Sequence, residues 1–61
     1  MAQQTKNAIR RAFIQLLNER PLDKISIKDI AEKGAVNRNT FYYYYADIYA
    51  LVEDILQLEI Q

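Results

Sequence analysis

The sequence predicts an all-α fold, a three-helix bundle followed by the start of a fourth helix. Three observations carry this expectation. Apolar residues recur at helical spacing in two long segments, Ile9/Ala12/Phe13/Leu16/Leu17 and Ile48/Leu51/Val52/Ile55/Leu58. Side chains that cap helices stand before the later helical segments, at Ser26, Asn37 and Asp47. The single Gly and single Pro, Gly34 and Pro21, fall between periodic segments, where turns are needed.

Composition narrows the function classes before any motif is read. A chain of 61 residues is one small domain that buries about 60% of its unfolded surface, with room for one core. It has no Cys and no His, so disulfides and thiolate metal sites are excluded, and the commonest metal ligand and general base are missing. No metal, cofactor or catalytic residue is expected. No apolar run approaches the roughly 20 residues of a membrane span, and nothing resembles a signal peptide, so a soluble, cytoplasmic chain is expected.

The first helix is expected from about Lys6 to about Glu19, with Thr5 as its N-cap and Pro21 marking its end. Its stripe from Ile9 to Leu17 is core. Lys6, Arg10 and Arg11 lie near its opening, and a solvated polar face accounts for them better than contact with a phosphate. Leu22 to Ile25 reads as a short loop. Ser26 with Asp29 three residues on approximates a capping box, which opens a second helix running to Lys33 before Gly34 stops it. Ile27, Ile30 and Ala31 form its inner face, and small Ala31 allows a close crossing with its neighbour.

Asn37 caps a third helix of about nine residues, ending near Tyr45. At 100° per residue Phe41 and Tyr45 share a packed face, Val36 and Phe41 close a small core with Ile30, and Arg38 and Tyr44 flank that face. Asn39, Thr40, Tyr42 and Tyr43 point away from it. A buried strand is the competing reading of four consecutive tyrosines, but period-2 burial leaves the lead-in Asn37-Arg38-Asn39 without a purpose. Outward Asn, Thr and Arg match base edges in a DNA major groove, and tyrosine hydroxyls suit phosphate oxygens. Helices two and three with their tight turn therefore make a helix-turn-helix, within a homeodomain-like bundle.

Asp47 caps the fourth helix, whose stripe from Ile48 to Leu58 is expected to pack on the first. A second apolar line, Tyr49, Leu56 and Ile60, has no layer left in so small a domain to cover it. Nothing in Leu58-Glu59-Ile60-Gln61 signals a helix stop. Net charge is zero, yet all eight basic residues precede Tyr45, alongside four acids, and the remaining four acids lie beyond it. The pattern is a basic head of net +4 joined to an acidic helix.

From Ile9 to Leu51 the order of helices, with Ser26-Ile27-Lys28-Asp29-Ile30-Ala31, Val36-Asn37, Thr40-Phe41-Tyr42 and the aromatic Tyr45, resembles the N-terminal DNA-binding domain of the tetracycline-repressor (TetR) family. The resemblance implies a bacterial transcriptional regulator, usually a repressor, that binds a palindromic operator in double-stranded DNA as a homodimer and is released by a small molecule. Residues 1–46 would be the helix-turn-helix domain, and residues 47–61 the first part of the helix leading to a C-terminal ligand-binding and dimerisation domain not present here. Carried over by position, Arg38, Asn39, Thr40 and Tyr43 fall where the family reads bases. Lys28, Tyr42 and Tyr44 fall where it contacts the DNA backbone, Tyr44 standing where His is common.

The chain departs from the family pattern at several points. Its turn reads Gly34-Ala35-Val36 where Ala-Gly-Val is usual, placing a non-glycine residue at the left-handed position. Pro21 replaces a common Gly, Ile48 replaces the Lys that often opens the fourth helix, and Tyr45 replaces the usual Phe. A protein-interaction module using the exposed tyrosines is the alternative from another class, since Tyr and Arg anchor interfaces. An enzyme is not expected, because no nucleophile, base and orienter can be assembled.

Overall fold

The computed structural model describes residues 2–60, with side chains described for residues 4–57. Helix α1 spans Ala2–Glu19, a single 3₁₀ turn spans Leu22–Lys24, α2 spans Ile27–Lys33, α3 spans Arg38–Tyr44 and α4 spans Ile48–Ile60. No strand occurs among the described residues, so the tyrosine run is helical. Leu58 of the expected stripe and Ile60 of the second apolar line lie outside the described side chains, as does the Leu58 to Gln61 tail.

Helix α1 begins four residues ahead of the expected start, and Thr5 lies inside it. Ala2, Gln3 and Gln4 are all good helix formers, so the helix extends past the residue that would have capped it. At its other end the Arg20 N–H donates to the Leu16 carbonyl at 2.9 Å, and Pro21 adopts φ −69° and ψ 159°, the extended geometry that its ring favours. The expected loop is more ordered than a bare connection. It winds one 3₁₀ turn and delivers Ile25 into the core, 6% exposed.

The capping box of α2 forms as the sequence suggests: the Asp29 N–H donates to Ser26 Oγ at 3.1 Å, and the Ser26 N–H donates to Asp29 Oδ2 at 3.0 Å. The bonds from Ser26, backbone first, hold the Asp29 carboxyl below its ordinary pKa. Arg20 reaches the same carboxylate at 3.2 Å, and Lys33 pairs with Glu19 at 3.1 Å, so two ion pairs link the end of α1 to both ends of α2. Both are solvent-screened, and exposed pairs of this kind contribute at most about 1 kcal/mol each.

The turn after α2 is a complete Schellman motif. The Ala35 N–H donates to the Glu32 carbonyl at 3.2 Å and the Val36 N–H to the Ala31 carbonyl at 2.9 Å. Ala35 takes the left-handed conformation, φ 58°, while Gly34 is right-handed at φ −86°. Glycine at 34 answers a different need. A Cβ there would sit 3.3 Å from the Ala8 carbonyl oxygen of α1, so the end of α2 rests almost on the α1 backbone. Ala12 and Ala31, both buried, continue that close crossing.

The core gathers Ile9, Phe13, Leu16, Ile30, Phe41 and Leu51, with Ile27, Val36, Ile48, Val52 and Ile55 half-buried around it. The α1 stripe is narrower than the periodicity suggested. Leu17 is 42% exposed and, with Ile14, Leu22 and Leu56, borders an apolar groove between α1 and α4. The helices α2 and α4 cover only the Ile9/Phe13/Leu16 side of α1. Tyr49 and Leu56 of the second apolar line are exposed, as expected.

Candidate nucleic-acid interface

Helix α3 is built by local chemistry at both ends. Asn37 Oδ1 accepts from the Thr40 N–H at 2.8 Å and from the Thr40 hydroxyl at 3.0 Å, closing the N-terminus. Phe41, with no exposed surface, anchors the centre. Tyr45 breaks away with φ −137° and ψ 131°, its N–H donating to the Phe41 carbonyl. The helix is therefore seven residues long rather than nine. Tyr45 reaches the core as an extended residue after the helix, not as the next position on its buried face.

The outward face carries the expected residues. Arg38, Asn39, Tyr42 and Tyr43 are exposed, Tyr43 at 81% and Tyr42 at 52%. Neither Lys28, exposed on α2, nor Arg38 makes an ion pair among the described residues. Two edge-on ring contacts brace the tyrosines: Tyr42 against Phe41 at 5.7 Å between centroids, and Tyr43 against Tyr44 at 4.9 Å. Each such pair is worth about 0.5–1.5 kcal/mol, and holding exposed side chains in place beforehand lowers the ordering cost of any later contact.

Two of the candidate residues are less freely displayed. Thr40 commits its hydroxyl proton to Asn37, leaving its lone pairs and methyl group. Tyr44 is half-buried against the core, a flanking position rather than an outward one.

Of the basic residues at the opening of α1, Arg11 is exposed as expected, but Arg10 and Lys6 are drawn to α4 rather than left on a solvated face, which corrects the sequence reading. Arg10 is buried and donates to Asp54 Oδ2 of α4 at 2.8 Å, to the Tyr45 hydroxyl at 3.3 Å, and to Asn7 Oδ1. The Tyr45 hydroxyl donates to the same Asp54 oxygen at 2.6 Å. Lys6 Nζ lies 3.9 Å from that oxygen and 5.7 Å from the centre of the Tyr45 ring. Burial, then the bond to Asp54, pushes the Tyr45 phenol up to about 12. The Tyr45 hydrogen bond, seconded by Arg10, holds Asp54 below its ordinary value. No local spacing marks this cluster in the sequence, because its members lie as far apart as Lys6 and Asp54, 48 residues.

The acidic helix is thus partly consumed internally. Asp47 caps α4, accepting from the Ala50 N–H at 2.9 Å, and Asp54 faces inward to α1. Ile48 is half-buried against the core. No described helix is long and apolar enough to cross a membrane, and no cluster of three or more metal-ligating side chains occurs among the described residues.

Comparison with known proteins agrees with this architecture. A family model described as "Bacterial regulatory proteins, tetR family" matches residues 9–55. The chain is 33% identical over 57 residues to "Uncharacterized HTH-type transcriptional regulator YxbF" of Bacillus subtilis (strain 168), which covers 93% of this chain and 15% of that protein. It is 39% identical over 49 residues to "Uncharacterized HTH-type transcriptional regulator YvdT" of the same organism, covering 80% of this chain and 25% of that protein. The chain therefore spans a quarter or less of the length of these relatives. No solved structure matches it.

Proposed function

This chain belongs to the tetR family of bacterial regulatory proteins, and on that footing we propose that it is the DNA-binding part of a transcriptional regulator that reads a major groove with α3. The observation that carries the proposal is the outward face of α3. Its Arg38, Asn39, Tyr42 and Tyr43 side chains make no hydrogen bond or ion pair within the described residues, while Phe41 of the same helix is buried and the Thr40 hydroxyl is bonded to the cap. Polar side chains held ready and left without internal partners suit an external one.

In this reading Arg38 and Asn39 address base edges, with Thr40 and Tyr43 supplying apolar and acceptor contacts. Lys28, Tyr42 and Tyr44 address phosphates and set register. Lys6 and Arg10 are withdrawn from the DNA-facing charge by Asp54. The full regulator acts as a homodimer on a palindromic operator, represses transcription and is released by a small molecule. The two similar regulators support the transcriptional role by their descriptions.

Selection from a random duplex library tests the proposal and yields the half-site in the same experiment. Enriched sequences sharing one half-site are expected, with affinity falling steeply as salt rises. Recovery of no preferred duplex, together with salt-independent capture of a protein through the tyrosine face, would instead establish the protein-interaction alternative.

A further inference from the structure

Tyr45 sets its ring in the core, where the residue is 4% exposed. A Phe ring would fill the same space without burying a hydroxyl, which is costly unless that hydroxyl is bonded. Here the hydroxyl is bonded twice. It donates to Asp54 Oδ2 at 2.6 Å and accepts from Arg10 at 3.3 Å, while Arg10 donates to that same carboxylate oxygen at 2.8 Å. Asn7 aims the guanidinium from one turn earlier in α1. One oxygen of α4 thereby gathers α1 and the residue that ends α3.

The rest of the α4 seat is apolar, formed by Ile48, Leu51, Val52 and Ile55. Apolar contact is non-directional, and packed helices slide and tilt on such surfaces in small shear motions. Charge-assisted hydrogen bonds are directional and short, so they select one orientation among those that the apolar seat tolerates. We propose that Arg10, Tyr45 and Asp54 are positioning residues that fix the angle at which α4 leaves the reading head. The phenol links that angle directly to the C-terminal end of α3. The angle itself is a property of the free chain. Its consequence for DNA, that two heads joined through α4 accept only a narrow range of half-site spacings, rests on the reading proposed above.

The chain lacks cysteine, so paired spin labels at Glu32→Cys on α2 and Gln57→Cys on α4, both exposed positions, report the angle without DNA. The parent chain should give one narrow distance. Tyr45→Phe keeps the ring in the core and removes only the hydroxyl, and Asp54→Asn removes the charge. Each should raise the population of other orientations about tenfold, the worth of one hydrogen bond to a charged group. Circular dichroism at the measuring temperature verifies folding, and if Asp54→Asn fails to fold, Tyr45→Phe decides alone. A distribution as narrow in Tyr45→Phe as in the parent, with only the melting temperature lowered, overturns the proposal. A second arm fuses the chain to a dimerising coiled coil and offers palindromes of varied spacing. Tyr45→Phe should accept spacings that the parent rejects while binding a single half-site equally well. If neither fusion binds any duplex, the DNA reading fails and the distance measurement still judges the latch.

Discussion

Replacing Ala35 by Gly should stabilise the domain, and the size of the effect follows from the Schellman turn. Ala35 holds φ 58°, a conformation that costs an L-residue with a Cβ about 1–2 kcal/mol. Its side chain is exposed, so no packing is lost on truncation. Both capping bonds use backbone atoms of Ala35 and Val36 and survive the change. Opposing the gain, a new Gly gives the unfolded chain freedom worth about 0.4–1 kcal/mol. The difference leaves Ala35→Gly ahead by roughly 0.5–1 kcal/mol. In a domain of this size that raises the melting temperature by about 2–8 °C. Thermal unfolding followed by far-UV circular dichroism reads it directly. A lower melting temperature would mean that the left-handed residue is not strained here, and that chain entropy alone governs the turn.

Other consequences are open to direct measurement. Arg38→Ala and Asn39→Ala should each relax the preferred DNA sequence at one position by about 1–3 kcal/mol, visible as a flattened base preference in repeated duplex selection; an unaltered preference would reassign the reading face. Lys28→Ala should weaken all duplexes alike and reduce the slope of log affinity against log salt by about 1, and a base-specific loss there would count against a phosphate role. The Tyr45 phenol, raised from 10 to about 12 in the folded state, makes stability depend on alkaline pH. Between those values the unfolded chain has already lost a proton that the folded chain retains, so this contribution to stability is full below pH 10 and is lost as pH rises through about 12. Denaturant titrations across that window should show the decline, and Tyr45→Phe should abolish this component.

Local rules carried the reading of the sequence a long way. Ser26 with Asp29, Asn37 and Asp47 each mark a helix start to the residue, because a cap is a bond between neighbours three positions apart. The left-handed alanine at 35 was expected from the family resemblance rather than from a local rule, which by itself favours glycine for that conformation. What local rules miss is partnership over distance. Arg10 at a helix opening looks like surface until α4 brings Asp54 beside it. Leu17 fits the apolar stripe, yet its exposure depends on how far round α1 the other helices reach. The start of α1 was misplaced for the opposite reason: good helix formers before Thr5 let the helix continue through a residue well suited to cap it. At the candidate site, outwardness was legible from the 100° step, whereas the commitment of the Thr40 hydroxyl to the cap needed the geometry itself.

At seven residues, α3 is too short to persist as an isolated helix. It exists because Asn37 closes one end, Phe41 is seated in the core and the Tyr45 ring is buried at the other. Fraying of α3 and unfolding of the whole domain should therefore be one event, and its amide protons should exchange with solvent only through global opening. The fraction of molecules able to engage a partner then equals the folded fraction at every temperature. A change remote from the reading face, such as Ala35→Gly, would extend activity to higher temperature while leaving the intrinsic affinity at low temperature untouched.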